Sequence, residues 1–146
     1  MKLPKELINA LIIFAGIAVY FVIMEFFGLT NLFYLRILNG FIVFYGVYRT
    51  LNSNYAEGKS GYLDNLRSAG LTAILGVVFS VIGLLIYIYS KGGEAFIATL
   101  SEDFLFGGSP SVNEYCIGVL FEGLASSVII VFIAMQLWRS KTSTQD

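Results

Sequence analysis

The chain has 146 residues, of which 57% are hydrophobic and 13% charged, with a formal net charge of −1 and a mean hydropathy of +0.78. Soluble domains carry about 25% charge, and a chain this short has too little polar helix to cover its apolar blocks, so a water-soluble fold is excluded. The near-neutral charge gives no field for nucleic acid, the absence of histidine removes the commonest metal ligand and general base, and one cysteine, Cys116, rules out an internal disulfide.

The first apolar block covers about residues 7–27, with Asn9 and Glu25 as its only strongly polar members. About 20 residues at 1.5 Å each cross a hydrocarbon core of about 30 Å. Lys2 and Lys5 precede it as in a signal peptide. The block is too long for that, and Phe26-Phe27-Gly28-Leu29 has no small-residue cleavage site, so a retained helix is expected. A short break follows, and a second span is expected over 32–50, interrupted by Arg36 and Asn39. So brief a connection makes the two helices antiparallel neighbours.

Residues 51–67 are rich in Asn, Ser and Gly and are expected to form a solvent loop. Within it Gly58-Lys59-Ser60 echoes the end of a phosphate-binding loop. The earlier glycine and the flanking strand are missing, so the motif is discarded. The third span is expected over 68–90, ending in the aromatic belt Tyr87-Ile88-Tyr89. Lys91-Gly92-Gly93 breaks it and opens an outer loop, 91–113. There Phe96, Ile97, Leu100, Phe104 and Leu105 recur at roughly helical spacing, which suggests an interfacial amphipathic helix over 94–105. Gly107-Gly108-Ser109-Pro110 closes that segment. The fourth span is expected over 114–138, broken by Glu122, with Trp138, Arg139 and Lys141 as a cytoplasmic edge. The fold expected is all-α: an integral membrane four-helix bundle of two antiparallel transmembrane hairpins, as one domain.

Seven of the nine Lys and Arg residues fall on one side of these spans: Lys2, Lys5, Arg49, Lys59, Arg67, Arg139 and Lys141. The opposite side has Lys91 among Glu94, Glu102, Asp103 and Glu114. The bias puts both termini and the 51–67 loop in the cytoplasm.

Two features are candidates for function. Ala69, Ala73, Gly76, Ser80 and Gly83 form a stripe of small residues on the third helix, and Gly118, Glu122 and Ser126 recur at steps of four on the last, with Ala125 beside them. Such stripes let helices approach closely where lipid gives no hydrophobic drive, and they are expected to meet each other or a partner subunit. The second feature is a set of embedded polar residues at comparable depth: Glu25, Arg36, Asn39 and Glu122. A charge at mid-membrane costs about 2.5–3.5 kcal/mol even on the lenient insertion scale, so Arg36 is expected to pair with Glu25, Glu122 or both, with Asn39 sharing its face. The cluster is either an ion pair that fixes helix packing or a site for a proton, ion or small substrate with Glu122 as the protonatable group. Cys116 is expected to be an apolar filler. Tyr34, Tyr45 and Tyr48 are expected to pack or to sit at the interface.

The tight first hairpin, the polar loop with Gly61-Tyr62-Leu63, the helix opened by Ala69-Gly70-Leu71, and a last helix with a basic tail resemble a family of small four-span bacterial membrane proteins (domain of unknown function 4199). The resemblance implies the four-span fold and no activity, cofactor or catalytic residue. Three functions follow from the residues. The first is a non-enzymatic membrane protein that works as an oligomer or accessory subunit, with the lipid bilayer, a homo-oligomer or another membrane protein as partner. The alternative is a small transporter or channel component using the Glu, Arg and Asn cluster. A lipid-modifying enzyme ranks last, since no nucleophile pair or metal cluster is present.

Overall fold

The structure, a computed structural model, describes residues 4–29, 33–59, 61–100 and 111–142, without the side chains at 33, 34, 36, 98–100 and 140–142. Every element among the described residues is helical: α1 (Lys5–Phe26), a 3-10 segment (Phe33–Leu38), α2 (Asn39–Ala56), α3 (Tyr62–Ser90), α4 (Glu94–Leu100) and α5 (Val112–Thr142). Three stretches are long and apolar enough to cross a membrane, Lys5–Phe26, Tyr62–Ser90 and Val112–Arg139. In α2, Asn39, Arg49, Asn52, Ser53 and Asn54 dilute eighteen residues, and it does not reach the same hydropathy.

The helices stop where glycine lets the chain turn. After α1, Gly28 takes φ 68°. Its N–H bonds the carbonyl of Glu25 at 3.0 Å, and that of Leu29 bonds Met24 at 2.8 Å. After α2, Gly58 at φ 79° repeats the arrangement, with Lys59 N–H on the Asn54 carbonyl at 2.9 Å. These paired bonds satisfy the last orphan carbonyls, and a side chain at the turning position would be strained. At the start of α5, Ser111 N–H donates to the Glu114 carboxylate (3.1 Å) and Glu114 N–H donates to Ser111 Oγ (3.3 Å). This reciprocal pair is a capping box.

The polar stretch expected as a loop over 51–67 is mostly helix. α2 runs on to Ala56 and α3 already starts at Tyr62. Two of its polar residues are withdrawn from solvent: Asn54 and Asn65 are 1% and 2% exposed. Asn54 Nδ2 donates to Asn65 Oδ1 at 3.0 Å, and Asn65 Nδ2 donates to the carbonyls of Lys59 and Gly61. Polarity here satisfies one helix end against another, which lets both helices extend inward from the turn.

Contacts at the helix ends define the arrangement. Lys5, opening α1, reaches Glu57 just past α2 at 2.5 Å, and Ser68, near the start of α3, donates to Glu6 at 2.6 Å. Trp138, late in α5, packs edge-on against Tyr48 and Tyr55 of α2. At the opposite end the Tyr87 hydroxyl, late in α3, donates to Glu25, late in α1. The start of α1, the end of α2, the start of α3 and the end of α5 therefore share one end of the molecule, termed the basic end for Lys5, Lys59, Arg67 and Arg139. Trp138 is 4% exposed, so it belongs to the core rather than to an interface edge.

Glycines set the spacing between neighbours. A methyl on Gly46 of α2 would come within 2.3 Å of Ile13 Cγ1, and one on Gly76 of α3 within 2.8 Å of Ile13 Cγ2. Ile13 of α1, fully buried, is thus wedged between two backbones. Gly83 of α3 receives Phe14 of α1, Gly123 of α5 receives Val77 of α3, and Gly40 of α2 receives Ile130 of α5. The most extensive contacts are α1 with α3 and α3 with α5. The α3 stripe is therefore occupied from within. Ala69 and Ala73 are buried, Gly76 and Gly83 seat α1 side chains, and Ser80 Oγ donates back to the Gly76 carbonyl. The expected meeting of α3 with the last helix is made through Gly123 and Val77, while Gly118 is buried and Ser126 exposed.

α4 caps the far end. Ile97 is 1% exposed in a cluster with Ile88, Val112, Tyr115 and Cys116. The segment expected to be interfacial is thus anchored by one turn in the core, and its continuation over 101–105 lies outside the described residues.

Candidate functional site: a cavity between four helices

Close contacts run in a ring, α1 to α2, α2 to α5, α5 to α3 and α3 to α1. Toward the basic end α2 and α3 also touch directly and close the middle. Toward the far end a cavity of about 840 Å³ opens, with walls from all four long helices. The volume falls within the range of about 300–1,000 Å³ that holds small ligands. Its surface is mostly aliphatic and aromatic, Phe14 and Phe21 of α1 and Phe44 of α2 among them. Asn39, Ser80, Tyr87, Glu122, Ser126 and Ser127 supply polar groups.

The expected polar cluster meets at this cavity in part. Asn39 and Glu122 lie on the same wall system, from α2 and α5. Asn39 opens α2 directly after the 3-10 segment, and its Oδ1 is buried without a hydrogen-bond partner. Glu122 is half-buried. Glu25 accepts the Tyr87 hydroxyl, which itself lines the cavity. The Tyr87 ring is gripped edge-on by Phe21 (5.5 Å) and Phe96 (5.8 Å), with Lys91 Nζ 5.6 Å above it. The 3-10 segment carries Arg36, whose side chain lies outside the described residues, as does that of Tyr34. Tyr45 is exposed below Arg49, Tyr48 stacks on Phe44, and Cys116 is buried among apolar neighbours.

A second polar assembly, absent from the sequence reading, closes the basic end. Arg49 Nε donates to Asn9 Oδ1 (3.2 Å) and Asn9 Nδ2 to Thr50 Oγ1 (2.8 Å). Thr50 and Thr72 share a hydroxyl bond at 2.8 Å, and Thr72 is also 3.0 Å from the Ser68 carbonyl. Asn9, Thr50 and Thr72 are at most 3% exposed. The signal was present: Thr50 with Asn54, and Asn65, Ser68 and Thr72, recur at steps of three and four on their helices. Such a layer ties α1, α2 and α3 together by bonds that are costly to leave unmade.

These features define an all-helical protein with three helices long and apolar enough to cross a membrane and a cavity among its helices. Compared with known proteins, the chain matches no family model, no curated protein and no solved structure.

Proposed function

We propose that the chain is a non-enzymatic multi-pass protein of a bacterial inner membrane, and that it acts as a small transporter or channel component through the far-end cavity. In this reading the molecule is a four-helix bundle of two antiparallel transmembrane hairpins. The second span is the 3-10 segment continued by α2, and both termini are cytoplasmic. The four-span family that the sequence resembles belongs to the same reading. The observation that carries it is the cavity of about 840 Å³ with Asn39 and Glu122 on its wall. Two of the residues singled out as embedded polar groups, Asn39 and Glu122, line this space. In the small-residue stripe of α3, the main reason to expect an oligomer, Gly76 and Gly83 already seat side chains of α1.

The cavity lies in the outer half of the membrane in this topology, and the Asn9–Thr50–Thr72 layer stands between it and the cytoplasm. Glu122, with Arg36 on the neighbouring 3-10 segment, is the protonatable group. The test is dissipation of a pH gradient by proteoliposomes, followed with an internal dye. Wild type is expected to conduct with a pH-dependent rate, and Glu122→Gln to abolish that pH dependence. Equal rates in the two proteins, or no flux in either, overturns the reading.

An accessory or oligomeric subunit is the second reading, favoured by Ala125 and Ser126, small residues exposed side by side on α5. Their size lets a partner helix approach closely. Crosslinking in mild detergent tests it, and a strictly monomeric protein without a co-purifying partner counts against it.

A further inference from the structure

Arg49 is held in one orientation at the basic end and carries a charge that its surroundings do not balance. It stands on the outward stripe of α2 formed by Phe41, Tyr45, Arg49 and Asn52, all exposed and spaced by three or four residues. Its Nε donates to Asn9 Oδ1 at 3.2 Å, and Asn9, 3% exposed, is itself held by Thr50. The guanidinium carbon lies 6.0 Å from the centre of the Tyr45 ring. One edge of the fork is thus fixed by α1, and a neighbour one turn away on α2 steadies it from the side. Among the described residues the two terminal nitrogens meet no acceptor, and no carboxylate forms an ion pair with them.

The nearby charges cancel one another and leave Arg49 over. Lys5 and Lys59 both reach Glu57, at 2.5 and 3.3 Å. Glu6, which accepts from Ser68, lies in the field of the same two lysines. Two ammonium groups are therefore matched by two carboxylates. In the topology proposed above, Arg49 faces lipid near the inner surface, where an unmatched charge is costly. The stripe is also ordered like the molecule that would match it. Phe41 and Tyr45, 68% and 54% exposed, lie deepest, Arg49 follows, and Asn52 is nearest the cytoplasm. Acyl chain, glycerol, phosphate and polar head succeed one another in the same direction.

Resting on the four-span topology and not on the cavity, we propose that Arg49 and its frame bind an anionic phospholipid of the inner leaflet. The phosphodiester accepts from both terminal nitrogens of the guanidinium, a planar bidentate match. An acyl chain covers Tyr45 and Phe41, and the Asn52 amide donates to oxygens of the head. The site lacks one negative charge, so phosphatidylglycerol binds in preference to phosphatidylethanolamine, whose ammonium cancels the charge of its phosphate.

The experiment is native mass spectrometry of the full chain in detergent, titrated with phosphatidylglycerol or phosphatidylethanolamine of identical acyl chains. Wild type is expected to bind its first phosphatidylglycerol about tenfold more tightly than its first phosphatidylethanolamine, the factor that one charge-assisted hydrogen bond supplies. Arg49→Gln is expected to lose that preference, and Arg49→Lys, which keeps the charge without the fork, to retain part of it. Lys91→Gln, at the far end, is expected to bind as wild type does. Millimolar inorganic phosphate is expected not to displace the lipid, because it brings no acyl chain to Tyr45 and Phe41. If Arg49→Gln does not fold, the wild-type ratio and Arg49→Lys decide. Equal affinity for the two lipids, an undiminished preference in Arg49→Gln, or displacement by inorganic phosphate overturns the proposal. Sidedness is read separately, by labelling Lys59→Cys with an impermeant maleimide. If the lipid preference fails while Lys59→Cys reacts only from the cytoplasmic side, the lipid site falls and the four-span topology stands. If Lys59→Cys reacts from outside, the topology falls and takes the inner-leaflet site with it.

Discussion

Ile13 is held by two glycines on two different helices, and a methyl at either would overlap it. At Gly46 the overlap involves Cγ1 at 2.3 Å and Cδ1 at 2.5 Å, and the same side chain is already held against Gly76 through Cγ2 and Cβ, so it has no room to turn away. Alanine favours a helix over glycine by about 1 kcal/mol, but overpacking costs about 1–3 kcal/mol, so the clash prevails. Gly46→Ala is therefore expected to lower stability by about 1–2 kcal/mol in a detergent unfolding titration. Gly70→Ala, where a methyl meets nothing within 4 Å, is the control and is expected to be neutral or slightly stabilising. Adding Ile13→Ala to Gly46→Ala should cost less than the sum of the two single changes, because the new methyl occupies part of the space vacated. An additive double variant would mean that α1 and α2 do not meet at these residues. At this scale the sequence was legible as a pattern but not as a pairing. The steps of three and four in Ala69, Ala73, Gly76, Ser80 and Gly83 marked a packing face, while the identity of its occupant, α1, depends on an approach between helices that local periodicity does not encode.

The ends of elements are governed by the turn between α2 and α3. Glu57 there accepts from Lys5 and Lys59, and those two hydrogen bonds hold its carboxyl below the usual carboxylate range. Glu57 in turn raises the Lys59 ammonium above its ordinary value. A carboxylate depressed on folding contributes stability above its unfolded value of about 4.3 and loses it as pH falls through the folded one. A raised ammonium contributes below its unfolded value of about 10.4 and loses it as pH rises through the folded one. The contact is exposed, so the effect is small and screened by salt. Comparing thermal midpoints of wild type and Glu57→Gln, the gap is expected to be widest around neutral pH, to close in acid and to shrink at high salt. A gap that persists well below pH 3 would show that the contact matters for a reason other than charge. This turn is also where the sequence reading of elements departed most from the structure. Long apolar blocks announce α1, α3 and α5 by composition alone. Residues 51–67 look solvated because Asn, Ser and Gly are turn formers, yet Asn54 and Asn65 spend their polarity on each other. Only the structure places those two amides within 3.0 Å. The candidate site divides the same way. Asn39 and Glu122 stand out as polar residues in apolar blocks, whereas the Asn9–Thr50–Thr72 layer is built from residues that also read as ordinary helix-end polarity.

At the scale of the whole molecule the open question is how many times the chain crosses the bilayer, and the contacts at the basic end decide what to expect. Three stretches qualify as spans by length and hydropathy, and α2 does not. If α2 stayed on one surface, three crossings would put residues 27–61 outside and leave Lys5 and Glu57 on opposite faces of the membrane. Their nitrogen and oxygen are 2.5 Å apart. Glu6 with Ser68 would be split in the same way. Three crossings would also carry Lys59, Arg67 and Arg139 outward, against the bias that holds cations in the cytoplasm. Four crossings keep every one of these contacts. Arg49 then sits about one turn from the inner surface with its Nε on Asn9, a depth from which a long cationic side chain can reach the headgroups. In a Cys116→Ala background, Lys59→Cys is therefore expected to react with a membrane-impermeant maleimide only in inside-out vesicles, and Glu94→Cys only from the periplasmic side of intact cells. Reaction of Lys59→Cys from outside would remove the fourth crossing, and with it the assignment of the cavity to the outer leaflet.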